Sequence, residues 1–262
     1  MEPSAVPAGA LPTTHLAMAA TAAMAAGAVN ALAGGGTLIT FPVLLALGLP
    51  PLSANATSGV ALCPGYLGAA WGQRRDLQGQ GPRLLLLLPA ALLGGLLGGQ
   101  LLLHSDPRLF TRLVPWLILL GSLLLLAQEP LGRWLASGPG DRPRGRQWWV
   151  TGPVTLAAVY GGYFGAGLSV ILLAVLALCL HDSLTRLNGL KQAVALAANL
   201  TAALLFLASG LAAPRLTAVM AVAALLGGRL GGALAGRLPP QRLRGLVAGL
   251  GLALALIGLL RP

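Results

Sequence analysis

Apolar residues fall in ten long segments along the chain, and short polar connections separate them. Most segments have the roughly 20 residues that an α-helix needs to cross the ~30 Å hydrocarbon core of a bilayer. The pattern predicts an all-α, polytopic membrane protein. The segments are residues 11–33, 37–49, 53–73, 83–103, 109–128, 148–166, 167–180, 184–210, 216–235 and 243–260.

Glycines interrupt two of these apolar runs. Gly34, Gly35 and Gly36 stand together in the first, and Gly165-Ala166-Gly167 breaks another about 130 residues later. Glycine costs about 1 kcal/mol inside a helix relative to alanine, so each cluster predicts a helix break. The segments after the breaks, residues 37–49 and 167–180, reach only about two-thirds of the way across a membrane. Two broken helices in corresponding positions indicate the substrate site of a secondary transporter.

The breaks divide the chain into two repeats of one plan, a broken helical hairpin followed by three transmembrane helices. The first repeat is residues 1–130, with its hairpin at 11–49 and helices at 53–73, 83–103 and 109–128. Residues 131–147 form a polar cytoplasmic linker. The second repeat is residues 148–262, with its hairpin at 148–180 and helices at 184–210, 216–235 and 243–260. Re-entrant hairpins and pairs of tilted full spans both fit the pattern.

Arginine positions indicate how the chain crosses the membrane. If each broken run turns back, eleven loop arginines lie on one side and four on the other, whereas a single crossing divides the same residues nine to six. The positive-inside rule favours the first arrangement. We therefore predict two inverted repeats, with Arg142 in the cytoplasm and Met1 and Pro262 on the opposite side of a bacterial inner membrane.

Composition supports a lipid environment: 56% of the residues are hydrophobic, 9% are charged, and the mean hydropathy is +0.81. The net charge of +11 does not indicate nucleic acid, since the arginines mostly separate apolar segments and no basic-aromatic module is present. We expect the bilayer and a small anionic substrate as partners, with no nucleic acid and no cofactor. A homodimer is left open.

Acidic residues are confined to tails, loops and helix ends, so no carboxylate is available in the middle of the membrane. This argues against a metal site and against a membrane-embedded enzyme, which would need intramembrane acid and base groups. A non-transporting scaffold is the other alternative, but it would not need two equivalent glycine breaks.

Neutral hydrogen-bonding groups and a single lysine remain as candidates for binding substrate. Lys191 either extends to the interface or pairs with an anion near Asn188. Helix N-termini at Gly36 and Gly167 would add N–H groups and positive dipole ends. The candidate substrate-binding residues are Asn30, Gly34, Gly35, Gly36, Thr37, Asn55, Thr57, Ser58, Gly165, Gly167, Ser169, Asn188, Lys191, Gln192 and Asn199.

These motifs resemble the sulfite exporter TauE/SafE family of anion transporters. The matching pieces are Gly34-Gly35-Gly36 with Pro42, Ala54 to Val60, Gly161 to Gly167, and Leu187 to Gln192 followed by Asn199 to Phe206. The resemblance implies transport of sulfite, a sulfonate or a related sulfur-containing anion across the bacterial inner membrane. The second half departs from the family pattern at three positions. A fuller glycine run is usual where Leu168 and Ser169 stand, and Leu173 replaces the proline expected by analogy with Pro42.

Overall fold

The computed structural model describes residues 12–136, 147–235 and 241–260, and these ranges contain α-helices, one short 3-10 helix and no strand. The predicted all-helical fold is confirmed. The helices are α1 (Thr13–Leu32), α2 (Thr37–Ala46), α3 (Pro51–Gly72), α4 (Gly81–Leu103), α5 (Pro107–Ala136), α6 (Thr151–Tyr163), α7 (Leu168–Cys179), α8 (Leu184–Ala208), α9 (Pro214–Leu234) and α10 (Gln241–Leu260), and the 3-10 helix Gln147–Val150 precedes α6.

Six of the described helices are long and apolar enough to cross a membrane: α1, α4, α5, α8, α9 and α10. Helix α3 is as long, with 22 residues, but carries more polar side chains. Helices α2 and α7 have 10 and 12 residues, or about 15–18 Å at 1.5 Å per residue. They are the two predicted half-helices. The opposite orientation of the two repeats in a membrane stays a prediction.

One predicted boundary is wrong. We expected the helix at 109–128 to end before a linker at 131–147, but α5 continues to Ala136. Pro130 and Gly132 lie inside this helix without ending it, and the denser run of helix breakers, Gly138-Pro139-Gly140, comes only after its last residue. The linker arginines at 142, 144 and 146 lie outside the described residues.

Two pairs of glycines on α4, and two more on α9, hold these helices against helices from the other half of the chain. The motif is Gly94-Gly95-x-x-Gly98-Gly99 in α4 and Gly227-Gly228-x-x-Gly231-Gly232 in α9. A methyl group on Gly94 would lie 2.5 Å from the carbonyl oxygen of Thr155 in α6. The neighbouring Gly95 lies against the backbone of α8. In α9, Gly231 faces α1 and Gly232 faces α3 in the same manner.

The helices therefore pack into two bundles, each built from both halves of the chain. Bundle one contains α1, α3 and α9, and bundle two contains α4, α6 and α8. Most of the buried apolar residues of α4 and α6–α8 form one core, whereas α1–α3, α9, α5 and α10 surround the other. Helices α5 and α10 pack antiparallel to each other, with Gly251 against Ser122 and Gly258 against Pro115.

Ion pairs and hydrogen bonds define the two ends of the molecule. At one, which we call the Asp182 end, Asp182 pairs with Arg83 at 2.6 Å and with Arg186 at 2.9 Å. At the opposite end, the Ala213 end, the N–H of Ala213 donates to Oγ1 of Thr57 at 2.9 Å. Helix α3 runs from the Ala213 end to the Asp182 end, and α8 runs the other way. Arg83 in the first turn of α4 and Arg186 in the first turn of α8 therefore lie at the same end of the molecule.

Candidate functional site

The two glycine breaks meet in the middle of the fold. Gly34 and Gly35 have φ values of 87°, and Gly165 and Gly167 have values of 80° and 81°, conformations that side chains other than glycine rarely adopt. A methyl group on Gly34 would lie 2.8 Å from Cβ of Ser169. A methyl group on Gly165 would lie 3.7 Å from Oγ1 of Thr37. Each tip thus contacts the first turn of the other half's short helix.

An asparagine from each half binds the backbone of the other half's hairpin. Nδ2 of Asn55 in α3 donates to the carbonyl oxygen of Tyr163 at 2.9 Å. Nδ2 of Asn188 in α8 donates to the carbonyl oxygen of Ala31 at 3.3 Å. Tyr163 and Ala31 stand at the ends of α6 and α1, and Asn55 and Asn188 each lie in the first turns after a hairpin. The two bonds are therefore equivalent by position.

Asn30 and Gln192 form hydrogen bonds with the backbone around the first glycine break, residues 34–36. Oδ1 of Asn30 accepts the N–H of Gly36 at 2.7 Å, so this N–H at the start of α2 is bound to the protein itself. Nε2 of Gln192 donates to the carbonyl oxygens of Asn30 and Ala31 at 3.3 and 3.1 Å. Nδ2 of Asn30 and Oε1 of Gln192 are buried and have no hydrogen-bond partner within the described residues. Free donor and acceptor atoms thus face the interior beside the tip.

Lys191 is fully buried, with a relative exposure of 0%. Extension to the interface, one of the two interpretations of this residue, requires a solvent-accessible ammonium and does not describe this arrangement. Among the described residues, no group accepts a hydrogen bond from its Nζ. Leaving a buried ammonium without a partner costs several kcal/mol. An anion held near Asn188, three residues away on the same helix face, would offset that cost.

A small cavity of about 10 Å³ lies between α3, α8 and the second tip. Thr37, Asn55, Tyr66, Asn199 and Phe206 are among its lining residues. The volume is about that needed for one water molecule. An anion the size of sulfite would enter only if the walls moved apart.

Three predicted residues have mainly structural partners. Thr57 binds the loop before α9 through Ala213. Oγ of Ser58 lies 2.6 Å from Oγ1 of Thr40 within a fully buried pair. Nδ2 of Asn199 donates to the carbonyl oxygen of Ala195 in its own helix at 2.8 Å. These hydroxyl and amide groups are therefore already hydrogen-bonded inside the protein.

Sequence reasoning missed Gln73, Tyr66 and Thr40. Oε1 of Gln73 accepts a hydrogen bond from Nδ2 of Asn188 at 2.6 Å. Tyr66 is buried and lines the cavity. A polar residue in the short apolar segment after a glycine break was the available signal for Thr40, whereas Gln73 looked like an ordinary helix end.

Asp182 lies between α7 and α8, outside the membrane-spanning segments, and pairs with arginines in the first turns of α4 and α8. Burial acts to raise the pKa of Asp182, but hydrogen bonds from Arg83, Arg186 and the Ser183 N–H outweigh it and hold this pKa below its usual value. Nη2 of Arg186 also donates to the carbonyl oxygen of Gln78 at 3.0 Å. The cluster joins the loop after α3 to the start of α8. No group of three or more metal-binding side chains occurs in the described ranges.

The all-helical fold, with six helices long and apolar enough to cross a bilayer among the described residues, defines the class: a multi-pass helical membrane protein. The sequence profile of the sulfite exporter TauE/SafE family matches residues 19–257. The chain therefore belongs to this family of membrane transporters, and the resemblance read from its motifs is confirmed.

Two relatives carry names that agree with this class. A probable membrane transporter protein of Haemophilus influenzae is 29% identical over 205 residues, which cover 78% of each chain. The probable membrane transporter protein YfcA of Escherichia coli K12 is 29% identical over 217 residues, or 80% of this chain and 76% of YfcA. These names point to transport rather than to catalysis.

Proposed function

We propose that this protein carries a small sulfur-containing anion, such as sulfite or an organosulfonate, across the bacterial inner membrane. The observation that carries the proposal is the fully buried Lys191, whose ammonium has no hydrogen-bond partner in the described part of the chain. Burying such a charge is favourable only with a counter-charge. The family description, sulfite exporter, supplies the chemical class of the anion.

The proposed site lies where the two hairpin tips meet. Lys191 supplies the charge, and Nδ2 of Asn30 supplies a hydrogen-bond donor without a partner in the described chain. Tetrahedral and pyramidal oxyanions accept several hydrogen bonds at once, so a site that combines a lysine with an amide donor suits them. Because the cavity between α3, α8 and the second tip holds about one water molecule, we propose that the anion is admitted by alternating access, with the site opening to one side at a time.

Transport into proteoliposomes tests the proposal. Purified protein is reconstituted, and uptake of sulfite, sulfate, thiosulfate and organosulfonates is measured with and without a proton gradient. Protein-free liposomes and liposomes with heat-denatured protein are the controls. Uptake of at least one of these anions above both controls is expected. Uptake of none of them, by protein that remains folded, would contradict the proposal.

The proposed orientation needs its own measurement. Single cysteines at Glu2, Arg142 and Pro262 are labelled in intact cells with a membrane-impermeant reagent after the native Cys63 and Cys179 are replaced. Labelling of the two terminal positions but not of residue 142 is expected. Labelling of residues 142 and 262 from the same side would rule out the two-hairpin topology.

A further inference from the structure

We propose that Asn55 and Asn188 close opposite ends of one anion path, which runs between α3 and α8 and opens when the two bundles rock against each other. The inference rests on the proposed transport function and adds to it the moving parts and the two closing contacts.

The glycine pairs make each bundle a rigid unit. A methyl group on Gly231 would lie 2.6 Å from the carbonyl oxygen of Ala28, and one on Gly232 would lie 2.6 Å from that of Ala69. Backbones this close leave no side chain that could change rotamer to permit sliding. In bundle two, Oγ1 of Thr201 in α8 also donates to the carbonyl oxygen of Leu92 in α4 at 2.9 Å. Relative motion is therefore expected between the bundles, not within them.

The interface between the bundles has a different composition. Helices α3 and α8 run antiparallel across it, with Gly59 opposite Phe206 and Gln73 opposite Asn188. Ring and amide side chains form these contacts, and such groups can rotate. Asn55, Tyr66 and Asn199 line the cavity at this interface. A polar cavity between two rigid bundles marks the place where a path can open.

The two asparagine bonds cross this interface at opposite ends. Asn55 belongs to bundle one and binds Tyr163 of bundle two, near the Ala213 end of α3. Asn188 belongs to bundle two and binds Ala31 and Gln73 of bundle one, near the Asp182 end. Rocking that separates the bundles at one end breaks the bond there and preserves the other. The two bonds are therefore reciprocal: each holds one end closed while the other opens.

Cysteine accessibility tests this reciprocity without requiring transport. Ala202 lines the cavity and is 3% exposed. The variant Ala202→Cys, in a background without Cys63 and Cys179, is reconstituted and treated with an impermeant thiol reagent from either side. We expect Asn55→Ala to accelerate labelling from the Ala213 end and Asn188→Ala to accelerate it from the Asp182 end. Losing the one hydrogen bond of Asn55 predicts a change of about five-fold, and losing the two of Asn188 a change of up to about thirty-fold.

Thr201→Val is the matched control, because it removes a hydrogen bond between two helices of the same bundle. It should leave the labelling rate from both sides within two-fold of the parent. Acceleration from the same side by both asparagine variants would overturn the inference, and so would equal rates from both sides for each.

A disulfide provides a second test that leaves both asparagines in place. A Cβ on Gly189 would lie 3.1 Å from Cβ of Asp76 across the bundle interface, near the usual disulfide separation of about 3.8 Å. Oxidising Gly189→Cys/Asp76→Cys should abolish labelling of Ala202→Cys from the Asp182 end, and reduction should restore it. The control pair is Gly65→Cys/Ala224→Cys within bundle one, at 3.4 Å. Unchanged labelling after complete cross-linking of the first pair would refute the inference.

These outcomes are separable from those of the proposed function. Reciprocal labelling in a protein that transports none of the tested sulfur anions would contradict the proposed substrate class but not the proposed path. Sulfite transport without any directional effect of the asparagine variants on labelling would contradict the proposed path but not the proposed transport function.

Discussion

Replacing Lys191 should weaken anion binding and stabilise the protein at the same time. The side chain is fully buried and its ammonium lacks a hydrogen-bond partner within the described residues. In Lys191→Met an apolar chain of similar length takes its place. The desolvation cost disappears together with the charge that would hold the anion. A lysine buried only as part of the packing would leave anion binding unchanged when replaced, so the combination of the two effects identifies a binding role.

The magnitudes follow from the burial. A charge-assisted hydrogen bond contributes about 1.5–3 kcal/mol, so removing it should raise the dissociation constant by roughly 10- to 150-fold. Replacing buried charges by apolar residues of similar volume is neutral or stabilising by about 1–4 kcal/mol. Lys191→Gln should lose the same affinity with little gain in stability, because its amide still needs partners. Lys191→Arg should restore affinity only in part, since the guanidinium is larger and planar.

Two measurements on purified protein test whether Lys191→Met both weakens anion binding and stabilises the fold. Titration calorimetry with sulfite gives the dissociation constant, and thermal unfolding without ligand gives the stability. Arg83→Gln is the control, because it removes a positive charge that Asp182 already pairs with at the end of the molecule. It should leave sulfite affinity unchanged. An unchanged dissociation constant in Lys191→Met would remove Lys191 from the site, and a clear loss of stability would contradict the absence of a partner.

Three shorter predictions concern packing and charge. Gly36→Leu should abolish sulfite uptake while the protein still reaches the membrane, because a Cβ there would lie 2.8 Å from Cγ of Asn30; uptake assays and membrane immunoblots check this. Gly228→Val should lower the unfolding temperature by several degrees, since any side chain would overlap the backbone of Gly65, and thermal unfolding measures it. Because the pKa of Asp182 is lower in the folded protein than its usual value, the ionised carboxylate stabilises the fold above about pH 3.9. This stabilisation is lost as the pH falls further and the carboxylate is protonated. The wild type should therefore lose stability more than Asp182→Asn between pH 5 and pH 3, and equal losses would exclude a role for this pair.

The helices and their breaks could be predicted because both depend on local properties. Apolar length fixes which segments can cross a membrane, and the glycine clusters at 34–36 and 165–167 mark the ends of α1 and α6 through the backbone freedom of glycine. Within the first cluster, glycine is required for two different reasons. Gly34 and Gly35 adopt positive φ, whereas Gly36 is helical with φ of −56° and is required for space.

The arrangement of helices could not be predicted from the same information. The double-glycine motifs are visible in the sequence, but they do not show that α4 packs against the second half and α9 against the first. Those partners lie many residues away, and a smooth glycine surface accepts any close helix. The role of Thr57 was hidden for a similar reason, because its partner at Ala213 belongs to a distant loop. Burial of Lys191 likewise depends on neighbours that only the folded chain supplies.

The exchange of helices between halves has a consequence for the order of synthesis. Helices α1 and α3 are made early, but their glycine-bearing partner α9 begins only at Pro214. At a translation rate of about 5–20 residues per second, these two helices remain in the bilayer for roughly 7–30 s without it. Pulse-labelled chains that end before α9 should accordingly be degraded faster than full-length chains. The helices of the first half can therefore pack fully only after the second half has been made. A chain that terminates in the linker contains no α6, α8 or α9 and cannot complete either bundle.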